Sequence, residues 1–224
     1  LRLSPIPDES CSFYQRTKEI KMRSFQIVTF ISFITALAST AQAQTTSGYV
    51  GLMTRTDVVH TKNSFMLELG VDHAISERFG VSAYGLVMDG WGEIYAGPSF
   101  KPTANTSVGA WFGGEQGADG KIVPRYALSA IASGHGFFFL GFVEADDEVV
   151  SGKSNAGLWY NAFVTRNAAK TLDLGLQFRR PDGLGPRASY RVGPVKAWVA
   201  WTPWLPEING WRAERVIAGI DLFL

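Results

Sequence analysis

The sequence predicts an all-β fold, an up-and-down antiparallel transmembrane β-barrel of about twelve strands. Three observations predict it. Apolar and polar residues alternate in short segments along most of the chain. No window from Gln44 onward keeps a helical period, and turn-forming clusters recur at roughly ten- to fifteen-residue spacing. The clearest segment is 171–179: Leu172, Leu174, Leu176 and Phe178 take one face, and Thr171, Asp173, Gly175, Gln177 and Arg179 take the other. Side chains in a strand alternate faces with period two, so one side of this segment is oily and the other polar.

Composition agrees with that reading. Aromatic residues make up 13% of the chain and glycine contributes 24 residues, yet apolar and polar positions balance overall. Alternating strands average out in this way, and a bundle of membrane helices does not. The formal charge is +1; residues 1–43 carry five basic and three acidic residues, so the remainder stands at −1. A near-neutral chain gives no reason to expect nucleic acid as a partner. The single cysteine, Cys11, precedes the barrel, which excludes a disulfide framework and thiol chemistry there.

The first 43 residues read as processing. Met22-Arg23, the apolar run 25–38 and the small residues Ala41 and Ala43 before Gln44 have the layout of a signal peptide over 22–43. The apolar run is short for a membrane-spanning helix. Residues 1–21 are polar and precede a start methionine; we expect a leader that is not part of the translated protein. Finding peptides from 1–21 in the unprocessed protein would contradict this. The barrel is expected over 44–224.

The strands follow in order. A first short one is expected around 49–54, followed by a polar loop at 55–63. Phe65, Leu67, Leu69 and Val71 alternate with Met66, Glu68, Gly70 and Asp72, and 73–78 turns. The third, 79–88, does not declare its facing, because Leu86 and Met88 share a side with Ser82 and Tyr84. After Asp89-Gly90-Trp91-Gly92, Ile94, Ala96, Pro98 and Phe100 oppose Glu93, Tyr95 and Gly97, with Pro98 weakening the ladder. Val108, Ala110 and Phe112 oppose Gly109, Trp111 and Glu115. Segment 122–132 carries Arg125 and Ser129 on its polar side, whereas 135–143 is apolar on both faces. Leu158, Tyr160, Ala162 and Val164 precede the 171–179 strand. Ala188, Tyr190 and Val192 oppose Arg187, Ser189 and Arg191, and Gly193-Pro194 turns the chain. Val195, Ala197, Val199 and Trp201 then oppose Lys196 and Trp198. Val216, Ala218, Ile220, Leu222 and Leu224 close the chain against Ile217, Gly219, Asp221 and Phe223.

Twelve is an even number, as single-chain bacterial barrels require, and the connections fall into two classes. The links at 55–63, 89–92, 116–120, 145–155, 180–185 and 202–210 are longer or more charged; those at 73–78, 102–106, 133–134, 166–170 and 193–194 are mostly compact. Short periplasmic turns and longer outside loops are the pattern of such barrels. The final strand, apolar at every second position to the chain end, resembles the C-terminal assembly signal of bacterial outer-membrane barrel proteins. Here the terminal residue is Leu224, with Phe223 one place earlier on the opposite face. The resemblance implies the bacterial outer membrane as location, and lipid and the barrel-insertion machinery as partners. A soluble periplasmic barrel or sandwich would also alternate and stays open at this point.

If the oily faces meet lipid, the polar faces line a lumen. Its charges are Glu68, Glu93, Glu115, Asp173 and Asp221 against Arg125, Arg179, Arg187, Arg191, Lys196 and Arg215. We expect an acidic wall of Glu68, Glu93 and Glu115 opposite a basic wall of Arg179, Arg187, Arg191 and Lys196. Opposed charges across a narrow aqueous path set a transverse field and a selectivity filter. The ring should be roughly 25 Å across its backbone, so salt bridges reaching over the lumen would instead plug it. Tyr95, Trp111, Trp159 and Trp198 fall on the inner register, as a track for a sugar or aromatic acid or as lumen filling. Tyr49, Trp91, Phe100, Phe178, Tyr190 and Trp201 are expected to face outward as interfacial girdles.

Three functions follow in order of support: a porin-like passive channel for small polar or charged solutes, a closed structural or surface-interaction barrel, and an outer-membrane lipid hydrolase. Hydrolysis needs a histidine beside a serine or carboxylate. His73 and His135 sit in turns, which leaves His60 near Asp57 and Ser64. No catalytic set, cofactor or metal site is expected; the acidic run 146–148 is read as a solvated loop rather than a cation site.

Overall fold

The computed structural model describes residues 46–58, 62–204 and 215–224, which include twelve strands and one short helix. The strands are β1 (Thr46–Asp57), β2 (Lys62–Ala74), β3 (Phe79–Met88), β4 (Trp91–Thr103), β5 (Thr106–Gln116) and β6 (Ile122–Gly134), followed by β7 (Phe137–Asp146), β8 (Trp159–Ala169), β9 (Leu172–Arg179), β10 (Gly183–Val192), β11 (Val195–Thr202) and β12 (Arg215–Phe223). The helix α1 (Asp147–Val150) stands between β7 and β8, its first turn capped by the Asp146 side chain. The leader and signal-peptide expectations for 1–43 and the candidate His60 lie outside the described residues.

Each strand pairs antiparallel with its sequence neighbours, and β1 pairs with β12 to close the ring. Gly51 stands opposite both Asp221 and Glu68, so its two neighbours bring carboxylates to one inner position. The seam continues to the chain end, where the Leu224 amide donates to the Gly48 carbonyl at 2.8 Å. Closure removes both sheet edges and satisfies the backbone without water, the condition for a strand fold within hydrocarbon.

The inside–outside pattern is inverted relative to a soluble protein. On β9, Leu174 and Leu176 are each 48% exposed, whereas Gln177 and Arg179 are 1% and 4% exposed. The same parity exposes Leu52, Phe65, Ile94, Phe112, Leu128 and Val199 around the ring while burying Glu93, Arg125, Glu144, Arg187, Lys196 and Arg215. A soluble barrel or sandwich would place those apolar residues inside, so that alternative is overturned. Among the described residues no helix is long and apolar enough to cross a membrane.

Facing is now fixed where the sequence left it open. Tyr84, Leu86 and Met88 of β3 all point inward, where Leu86 packs with Met53, Met66, Trp198, Ala200 and Ile217. Strand β7 runs three residues beyond 143. Its apolar faces divide, with Phe137, Phe139 and Val143 exposed and Phe138, Leu140 and Phe142 lining the interior. Two aromatics expected in the outer girdle instead face the lumen, Tyr49 in one cavity and Trp91 in another. Tyr49 fits because its neighbour is Gly70, where a Cβ would lie only 2.2 Å from the ring.

Candidate functional site

Among the described residues, two cavities stand out in the interior. One, of about 740 Å³, opens toward the end bearing the longer connections; the other, of about 580 Å³, lies toward the compact turns. We call them the loop-end and turn-end chambers. Arg179 and Trp159 line both, so they mark the waist.

The loop-end chamber is walled by two charge clusters. On one side stand Glu93 of β4, Glu115 of β5 and Glu144 of β7, with Arg125 of β6 among them. Arg125 lies 3.3 Å from Glu144 and 3.5 Å from Glu115, and donates to the Gly157 carbonyl at 2.8 Å. The Tyr95 hydroxyl lies 2.8 Å from Glu144 and 3.2 Å from Glu93, tying the two acids together. Three carboxylates to one guanidinium leave this wall acidic.

The opposite cluster centres on Asp182, which has no exposed surface. Its carboxylate is 2.5 Å from Arg215 Nη1, 3.2 Å from Arg179 Nε and 3.6 Å from Arg55 Nη1. Strand parity brings in the arginines of β1, β9 and β12. Asp182 arrives differently, from the three-residue link between β9 and β10. The ladder resumes at once, with Gly183 opposite Arg179, and Gly183 takes φ +102°, a conformation that glycine supplies without steric cost. Three guanidinium groups to one carboxylate leave this wall basic. The described ion pairs of the two clusters form within each cluster, and both line the same cavity.

At the waist, Arg179 extends across the lumen from β9. Its Nη1 is 3.1 Å from the Met53 sulfur, its Nη2 is 4.0 Å from the Met66 sulfur, and its guanidinium lies 5.1 Å from the Trp159 ring centre. Beside it, Phe142 is the hub of an aromatic cluster, with Tyr84, Tyr95, Trp111 and Trp159 at centroid distances of 5.7, 6.0, 6.0 and 6.4 Å.

The turn-end chamber receives Glu68, Asp221, Arg187, Arg191, Lys196 and Trp198. The expected acidic wall is therefore split by height: Glu93 and Glu115 share the upper cavity, and Glu68 lies in the lower one. The expected basic wall divides too, with Arg179 at the waist and the other three cations below it. Each of those cations lies over an aromatic ring: Arg187 at 3.9 Å over Trp198, Arg191 at 4.7 Å over Phe223 and Lys196 at 5.7 Å over Phe138. Trp111, Trp159 and Trp198 line the lower cavity, whereas Tyr95, on the same inner register, is fully buried and lines neither; Trp198 is separated from the cluster around Phe142 and packs with Met53, Met66 and Ile217.

Sequence reasoning missed Asp182, Glu144, Arg55 and Phe142. Arg55 and Glu144 share parity with the other lumen positions but lie beyond the ends of the alternating segments, near the ends of β1 and β7. Asp182 carries no periodic signal. Of the remaining expectations, His73 Nδ1 lies 2.9 Å from Thr46 Oγ1 at the turn end, and His135 is a turn residue with φ 51°. Asp146 caps α1, and Asp147 accepts from the Tyr126 hydroxyl at 2.9 Å, so two of the three carboxylates of that run have protein partners.

No protein-family model matches the sequence, and no characterised protein sequence matches it. Solved structures do. The KdgM porin is 14% identical with a TM-score of 0.50 over 78% of this chain and 98% of that one; the KdgM porin in complex with disordered oligogalacturonate gives the same values. The NanC porin is 10% identical with a TM-score of 0.47, over the same shares of the two chains. These are likenesses of fold. A closed twelve-strand ring with an apolar belt outside and charge within is a transmembrane barrel of the outer-membrane class. More narrowly, its fold is similar to that of the KdgM porin.

Proposed function

We propose that the protein is a narrow, porin-like passive channel for small polar or charged solutes in the bacterial outer membrane. Acidic and basic clusters face one another across a single cavity of about 740 Å³ without the described ion pairs bridging them, and this observation carries the reading. A solute entering from the loop end meets a transverse field between Glu93, Glu115 and Glu144 on one side and Arg55, Arg179 and Arg215 on the other. Such a field orients dipolar and zwitterionic molecules and weakens the entry barrier for either sign of charge. It then passes the Arg179 waist into the turn-end chamber, between Glu68 and the cations Arg187, Arg191 and Lys196.

The second reading is a closed barrel that acts structurally or through its outside loops. It is favoured by Arg179 itself, whose guanidinium lies against Met53, Met66 and Trp159 and separates the chambers. Planar-bilayer recording distinguishes the two. A channel gives discrete conductance steps and a reversal potential that moves toward cation preference in Arg187→Glu; a plugged barrel gives neither.

A further inference from the structure

Arg187 is 5% exposed, and its guanidinium is held between two aromatic faces, 3.9 Å from the Trp198 ring centre and 4.3 Å from that of Phe163. Its Nη1 donates to Gln177 Oε1 at 2.5 Å, while its buried Nε has no hydrogen-bond partner. Among the described residues no carboxylate lies within ion-pair distance of it. Lys196, 9% exposed, faces the same chamber over Phe138 and Phe163 at 5.7 and 6.0 Å, again with no ion pair among the described residues. Asp221, opposite Lys196 on β12, and Glu68 face the same chamber but lie beyond ion-pair distance, so two buried cations, one with an orphaned donor, keep room for a contacting anion.

The rest of the lining says what kind of anion fits. Beside these cations the chamber wall is the apolar inner face of β7, formed by Phe138, Leu140 and Phe142. Several neutral hydrogen-bonding groups of the chamber are already paired: Ser82 with Asp72, Trp111 with Ser129 at 2.9 Å and Gln177 with Asn161 at 3.0 Å. A polyhydroxylated solute would find these partners occupied, whereas a flat apolar body would meet the apolar side chains of Phe138 and Leu140. We infer that the turn-end chamber is a binding site for small aromatic carboxylates, the ring against Phe138 and Leu140 and the carboxylate between Arg187 and Lys196. A cavity of about 580 Å³ lies within the range of pockets that hold small organic ligands. The inference rests on the proposed reading of the lumen as water-filled, and adds a solute class to it.

The test is calorimetric titration of the full chain folded in detergent micelles, with trans-cinnamate, its uncharged amide and glucuronate as probes. Cinnamate should bind, roughly tenfold or more tightly than either comparison compound, and Arg187→Gln and Lys196→Gln should each weaken it about tenfold, as loss of a charged hydrogen-bond partner does. Heat-modifiable migration on gels establishes that each variant is folded, and Lys196→Gln serves if Arg187→Gln is not. No binding of cinnamate, equal binding of the amide or of glucuronate, or unchanged affinity in the folded variants overturns the site. A barrel that conducts without binding cinnamate refutes this site and leaves the channel standing. One that binds cinnamate but never conducts removes the channel and keeps the site.

Discussion

Arg179 reaches from β9 to within 3.1 Å of the Met53 sulfur on β1, a strand separated from it around the ring by β10, β11 and β12. The chain's most regular strand thus ends in the side chain that subdivides the lumen. Asp182, three residues on, lies 3.2 Å from its Nε and holds the guanidinium from the loop-end side, while Trp159 covers a face of it at 5.1 Å. A long cation held at one end by an acid and at the other by soft sulfur and aromatic groups constricts the lumen here. The thioether contacts at its far end are weak individually, so the ion pair with Asp182 is its main anchor.

Removing the acid should show how much Asp182 holds together. Asp182→Ala leaves Arg55, Arg179 and Arg215 facing one another without a carboxylate, and breaking such a buried charge set costs about 3–5 kcal/mol. Urea unfolding of the barrel in lipid vesicles should report a loss of that size. A second change, Arg215→Gln in the same chain, should return part of it by removing one of the repelling cations.

The acidic wall makes a separate prediction about selectivity. Replacing Glu93, Glu115 and Glu144 together by glutamine leaves Arg125 as the cation of that wall, facing the basic cluster, so the reversal potential under a salt gradient should move toward anion preference. Glu144→Gln alone should move it less, but in the same direction. Arg125→Gln should move it the opposite way.

The sequence made the ring legible because membrane exposure on one side and water on the other impose period two on nearly every strand. Segment 171–179 carries the pattern at full contrast, and its observed facing follows it residue by residue. Contrast fails where the lumen is itself apolar. Leu86 and Met88 face inward because Met53, Met66 and Trp198 form a patch there, and Phe138, Leu140 and Phe142 line a wall that shows no polarity difference from the lipid side of β7. Tyr49 and Trp91 looked like girdle residues because aromatic character alone does not encode a face. Asp182 was illegible for another reason: a link residue has no strand parity, and only the folded ring shows that it meets three arginines.

The belt around the outside can be tested one strand at a time. Leu176→Arg puts a cation on the lipid face of β9 and should cost about 2–4 kcal/mol in vesicle refolding if that position lies near the bilayer midplane. Ser99→Arg, on the lumen register of β4, should cost much less, because a charge there meets water. Equal penalties would mean that the two faces are not differently solvated.

The division of the lumen at Arg179 is tested most directly by single-channel conductance in planar bilayers, wild type beside Arg179→Ala. The wild type should give discrete channels and the variant a severalfold larger conductance, with both proteins still migrating as folded barrels. Silent membranes from both folded proteins, or identical conductance in the two, would contradict it.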